Sequence, residues 1–236
     1  MKKFYLLLVT LLLLPVLYVQ AQEVDILWQG ETYVPPFYQG RSLWSNQSKI
    51  NFVAIAQGLG DPAKLSYRWT KNGTVLGKNN GIGRNTLSFF DTVLSRPQIL
   101  KVDIIKPNIS PGGYDEYTIL ASAHITVTPI IPTLLVYENN PLYGFMFHRE
   151  TSGTFKLKEK EITFSAFPFF FSALNRMDDA INYEWHTNIG EAKTANSVTY
   201  RVPDNVAGSS QVSVRASNRD EIMQYTSKNF LLEFGK

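Results

Sequence analysis

The chain carries one series of short segments twice, in the same order. Leu65-Ser-Tyr-Arg-Trp69-Thr-Lys-Asn-Gly73 is echoed by Ile181-Asn-Tyr-Glu-Trp185-His-Thr-Asn-Ile-Gly190. Upstream, Ile50-Asn-Phe-Val-Ala54 is echoed by Ile162-Thr-Phe-Ser-Ala166, and downstream Asn85-Thr-Leu-Ser-Phe89 by Asn196-Ser-Val-Thr-Tyr200. The echoes lie 116, 112 and 111 positions apart. A near-constant interval of that size is the mark of a tandem duplication whose unit is a small β-sandwich. It limits the fold far more than it limits the function.

Within each unit the apolar residues alternate, which puts them on one face of a strand. Ile50, Phe52 and Ala54 form one such row, and Leu65, Tyr67 and Trp69 another. Asn72-Gly73 then marks a hairpin, because both residues tolerate positive φ. Helical character is confined to short stretches near Asp91–Ser95 and Leu174–Asp179. Thr128-Pro-Ile-Ile-Pro-Thr133 separates the units, and two prolines that donate no ladder bond make it a short, stiff connection. The expected division is a signal peptide over 1–21, a first domain over 22–128 and a second over 129–236.

The signal reading rests on Lys2 and Lys3, the apolar run Phe4–Tyr18, and Val19-Gln20-Ala21 before Gln22. The run is short of the ~20 residues of a comfortable bilayer span. Cleavage before Gln22 is therefore expected, and an uncleaved segment would be the membrane attachment. The chain has no cysteine, which removes disulfides, thiol chemistry and cysteine–zinc sites. An exported protein without disulfides points to a bacterial source and to a core held by packing alone. Periplasmic, cell-surface and secreted locations all fit. Without Lys2 and Lys3 the basic and acidic residues nearly balance and are scattered, so nucleic acid is not an expected partner.

No catalytic or metal-binding pattern emerges. His124, His148 and His186 have no ligand spacing, and adjacent acidic pairs on a strand point to opposite faces. Asp178-Asp179 reads as a solvated turn with a loop calcium as the alternative, and no calcium-loop motif is present. Gly81-Ile-Gly-Arg84 is followed by no helix and reads as a turn. The expectation is a chain that is not an enzyme, with no cofactor, no metal and no catalytic residues.

Tyr67/Trp69 and Tyr183/Trp185 resemble the core tryptophan strand of immunoglobulin-like and PKD-like domains. Tyr67-Arg-Trp-Thr-Lys-Asn-Gly73 is similar to bacterial immunoglobulin-like modules. Thr199-Tyr-Arg-Val-Pro203 and Val212-Ser-Val-Arg-Ala-Ser-Asn218 are similar to the PKD pattern, although neither unit has the Gly-Asp-Gly turn of that family. The resemblance implies an all-β fold of two tandem immunoglobulin-like (PKD-like) antiparallel β-sandwich domains. It also implies extracellular modules for adhesion, spacing or glycan contact.

Each unit also has an extension that pairs proline with aromatics. Tyr33, Phe37, Tyr38 and Trp44 lie in the first, and Tyr143, Phe145 and Phe147 in the second. Such rings either cover the ends and edges of the sandwiches or stack on sugars and anchor partners. Tyr33, Phe37, Tyr38, Tyr143 and Phe145 are the candidate contacts for a partner or glycan. Phe164–Leu174 holds five phenylalanines, which on a strand must face both ways. Some of them must therefore meet a second surface within the chain or on a partner. The functional expectation is a structural or protein-interaction module of a bacterial cell envelope or surface, with envelope or surface proteins as partners. The alternative is a carbohydrate-binding or adhesin module that uses the aromatic extensions.

Overall fold

A computed structural model describes residues 22–108, 116–188, 190–202 and 206–235. The expected signal peptide lies outside the described residues. In chain order the strands are β1 (Glu23–Gly30), β2 (Lys49–Gln57), β3 (Ser66–Lys71), β4 (Thr74–Val75), β5 (Gly81–Ile82), β6 (Thr86–Phe90), β7 (Gln98–Asn108) and β8 (Glu116–Val127). They continue as β9 (Thr133–Asn140), β10 (Gly144–Glu150), β11 (Gly153–Lys156), β12 (Glu161–Phe169), β13 (Ile181–His186), β14 (Ser197–Arg201), β15 (Gly208–Asn218) and β16 (Tyr225–Phe234). Among the described residues the helical content is one 3-10 turn, Gly77–Asn79. The two stretches read as short helices are turns. Asp178 explains one of them: its carboxylate accepts the backbone N–H groups of Leu174 and Ala180, at 2.7 and 2.9 Å, in competition with helix formation.

The sheets form two packed pairs. β1-β2-β6 faces β4-β3-β7-β8, with β5 also paired to β3. β10-β9-β12-β14 faces β11-β16-β15-β13. Pairing is antiparallel except that β11 runs parallel to β16. Both pairs place the second and fourth major strands (β2 and β6, β12 and β14) in one sheet. The third, fifth and sixth (β3, β7 and β8, and β13, β15 and β16) lie in the other. This is the immunoglobulin-like sandwich arrangement.

Each pair encloses its own core, and the sequence echoes coincide at its centre. Trp69 is wholly buried and donates its indole N–H to the Arg84 carbonyl at 2.9 Å. Trp185 is equally buried and donates to the Ala195 carbonyl at 2.7 Å. The Ala54 and Ala166 amides likewise donate to the Asn85 and Asn196 carbonyls, each at 2.8 Å. Burial of the indole drives the packing, and a carbonyl partner removes the cost of a dry N–H. Asn72 and Gly73, with φ of 49° and 81°, turn β3 into β4, as both residues permit.

The connection between the sandwiches is hydrogen-bonded to the first. Ile130 donates its N–H to the Trp44 carbonyl at 2.9 Å, and its carbonyl accepts the Asn46 N–H at 3.1 Å. Pro132 is buried. The stiffness expected from two prolines is thus reinforced by backbone pairing.

Candidate functional site

Most of the aromatic residues singled out in the sequence converge where the two sandwiches meet. β12 presents Ile162, Phe164 and Ala166 to the core of the second sandwich. The alternate residues Phe167 and Phe169 project from the opposite face of the sheet, where Tyr137 of β9 and Phe170 join them in a separate cluster. Residues 31–43 of the first sandwich cross this outer face as an arm. The arm is closed at its base, since the Gly30 N–H donates to the Ser42 carbonyl at 2.8 Å. A side chain at Gly30 would run into the Leu43 backbone, so the closure requires glycine there. Thr32 and Ser42 add reciprocal hydroxyl-to-carbonyl bonds across the base, to Leu43 and Thr32, each at 2.8 Å.

At the arm's turn Phe37 occupies the centre of the cluster. Its ring lies 4.1 Å from that of Phe147 and 5.7 to 6.0 Å from those of Phe167, Tyr137 and Phe169. Tyr38 meets Phe169 and Phe170 edge-on, each at 5.7 Å, and its hydroxyl donates to the Arg41 carbonyl at 3.2 Å. Tyr33 contributes through its backbone, since its N–H donates to the Phe171 carbonyl at 2.8 Å and its carbonyl accepts the Phe170 N–H at 2.7 Å. Phe170 reaches that position with a φ of 65°. Such a backbone state is costly for a bulky residue, and it is held in place by the pair of bonds to Tyr33.

Phe145 packs edge-on against Phe167 at 5.1 Å. Between Phe145 and Glu150 the β9–β10 register breaks, with four residues of β10 opposite one of β9. This bulge turns Phe147 toward Phe37 and ends regular pairing on that edge. The Arg176 guanidinium lies 4.9 and 4.7 Å from the centroids of Phe145 and Phe167. Burial lowers its pKa, and the neighbouring phenols of Tyr183 and Tyr33 oppose the change. The Tyr33 phenol is shifted upward, chiefly by burial, with Arg176 opposing. A cation on ring faces in a partly dry site is a favourable pairing.

A polar knot closes the other side of the joint. Gln224 is wholly buried. Its amide N–H group donates to the Asn46 carbonyl and the Ser172 hydroxyl, each at 2.8 Å. Its amide oxygen accepts the Ser172 N–H at 2.8 Å and the Asn218 amide at 3.1 Å. Gln47 accepts the Met223 N–H at 2.7 Å. Satisfied networks of this kind fix one orientation, because any slip strands dry polar groups.

Tyr33, Phe37, Tyr38 and Phe145 are therefore brought together, while Tyr143 stands apart. It lies at the β9–β10 turn and is 77% exposed beside Leu142 at 83%. Asn140 holds that turn by accepting the N–H groups of Leu142 and Tyr143. A groove of about 450 Å³ runs beside it, lined by residues that include Glu138, Arg149, Lys156 and Lys158. Arg176, Gln47 and Gln224 carried no sequence signal: the two glutamines act across the joint, and Arg176 packs on rings of β10 and β12 within the second sandwich. His124 and His186 lie exposed on strands. Among the described residues no group of three His, Asp or Glu side chains is placed to hold a metal ion. No helix among them is long and apolar enough to cross a membrane.

No family model matches the chain, and no curated protein matches it. Solved structures similar to it are multi-domain β-sandwich proteins. The three N-terminal domains of the highly immunogenic outer capsid protein of bacteriophage RB49 align over 91% of this chain and 59% of theirs, at 15% identity and a TM-score of 0.42. The chain thus spans under two thirds of that structure. The fibronectin(III)-like modules of Clostridium thermocellum CbhA align over 89% of this chain and 93% of theirs, at 13% identity and a TM-score of 0.28. Immunoglobulin domains 1–4 of Sidekick-1 align over 92% and 50%, at 14% identity and a TM-score of 0.29.

Proposed function

We propose that this chain is a non-catalytic, exported structural module of a bacterial cell envelope or surface. In this reading residues 22–128 and 129–236 are two immunoglobulin-like domains locked into one strut that carries or spaces other envelope proteins. The joint is the observation that supports it most. A ring cluster centred on Phe37 and a buried glutamine knot fix one sandwich on the other, and an arginine backs the rings that receive Phe37. The basic, apolar N-terminus supports export.

Cross-linking in intact source cells, followed by capture of the tagged chain, tests this reading. One or two envelope proteins recovered in stoichiometric amounts is the expected result. Retention of the chain on purified wall or surface polysaccharide, with no protein recovered, would replace it with glycan binding. The exposed Tyr143 beside a polar groove favours that second reading. Tyr38, engaged with Phe169 and Phe170, is the poorer sugar platform. Loss of polysaccharide retention on Tyr143→Ala is the corresponding check.

A further inference from the structure

The internal joint leaves an unused counterpart at each end of the chain. Ile55 and Phe167 are equivalent in the repeat, five residues beyond Ile50 and Ile162. Leu27 pairs with Val53 as Tyr137 pairs with Ser165, so Leu27 and Tyr137 are equivalent too. In the second sandwich these positions form the face under the arm, with Tyr137 and Phe167 only 5% and 3% exposed. Among the described residues the same face of the first sandwich is uncovered, with Leu27 58% and Ile55 38% exposed.

The arms differ in the same way. After the first strand of each repeat, a proline turn presents an apolar residue and a tyrosine: Pro36-Phe37-Tyr38 and Pro141-Leu142-Tyr143. The first motif fills the face of the second sandwich. The second motif has Leu142 and Tyr143 standing in solvent. One arm–face pair is thus closed within the chain, one face is open on the first sandwich, and one arm is free on the second.

Charge matches the two free ends. Glu23 and Asp25 are exposed on β1, on the same side of the strand as Leu27. Arg149, exposed on β10 near the free arm, is held over the Phe155 ring. None of these three is in an ion pair among the described residues.

We propose that copies of this chain associate head to tail, the Pro141-Leu142-Tyr143 arm of one docking on the Leu27–Ile55 face of the next. The proposal rests on the structural reading above and gives that strut a partner, a second copy of itself. The contact joins two different surfaces, so it extends into rows rather than closing as a symmetric dimer. The apolar patch is small, and the association is correspondingly weak, suited to chains concentrated at an envelope.

The lack of cysteine gives a silent background for a cross-linking test in cells that express and export the full chain. Chains carrying Leu27→Cys and chains carrying Tyr143→Cys, co-expressed and oxidised, should give mixed dimers, while either alone stays monomeric. A chain carrying both substitutions should give a ladder of dimers, trimers and longer species. Asp25→Arg should weaken the ladder severalfold, and Arg149→Asp in the same chain should restore it. Dimers from either single variant alone, or no ladder from the double variant, would overturn head-to-tail association. Capture of other envelope proteins without self-cross-links would remove this inference and leave the structural reading standing. Failure of both would remove both.

Discussion

Phe37→Ala separates the joint from the two cores. Truncating a fully buried phenylalanine costs about 3–5 kcal/mol. Phe37 is only partly buried, which brings the expected cost to about 2 kcal/mol, counting the loss of its contacts with four rings. Neither core contains Phe37, so the cost falls on docking of the arm. About 2 kcal/mol corresponds to roughly a thirtyfold rise in the undocked population. Native-state hydrogen exchange reads this directly. The Tyr33 and Phe170 amides donate across the joint, whereas the Ala54 and Ala166 amides donate within the first and second sandwiches. Protection at Tyr33 and Phe170 should fall roughly thirtyfold, with Ala54 and Ala166 unchanged, as in sub-global opening. Unchanged protection at Tyr33 and Phe170 would refute the reasoning. So would an equal loss at all four amides, which would mean that Phe37 supports the whole fold.

Trp185→Ala should cost about 3–5 kcal/mol and abolish the urea transition of the second sandwich. Exchange protection at Ala54 should survive, and a variant that melts like the parent would exclude Trp185 as a core residue. Among the described residues the buried Tyr200 hydroxyl has no hydrogen-bond partner, so Tyr200→Phe should raise the unfolding free energy by about 1 kcal/mol. Burial also raises the Tyr200 pKa to about 12, above the unfolded value of about 10. The unfolded chain ionises first, so this stability is complete below about pH 10 and is lost as the pH rises toward about 12. Urea midpoints across that alkaline range should therefore fall less steeply in Tyr200→Phe than in the parent.

The repeat made the sandwiches legible because their signals are local. Alternation, an Asn-Gly turn and a buried tryptophan all act within a few residues. The equivalence went as far as the carbonyls of Arg84 and Ala195, which receive the two indoles. The phenylalanine run also announced a second surface, since a strand cannot hide both faces in one core. The joint was not legible. Gln224 meets Asn46 and Gln47 meets Met223 across large sequence separations, and neither glutamine looks unusual among its neighbours. The non-helical stretches at Asp91 and Asp178 escape sequence reading for a related reason. The Asp178 carboxylate accepts nearby backbone N–H groups, and the Asp91 carboxylate accepts the distant Gln47 N–H and the Ser95 hydroxyl; neither gives a periodic signal of its own.

The arm lies earlier in the chain than the face it covers. Synthesis runs from the N-terminus, and domains tend to fold in that order. Residues 31–43 therefore emerge before Tyr137, Phe167 and Phe169, whether from the ribosome or across a membrane. When the second sandwich closes, its adhesive outer sheet is met at once by a waiting cover rather than by another nascent chain. Reversing the order of the two units would leave that face bare until its cover was made, during the interval when chains aggregate most readily.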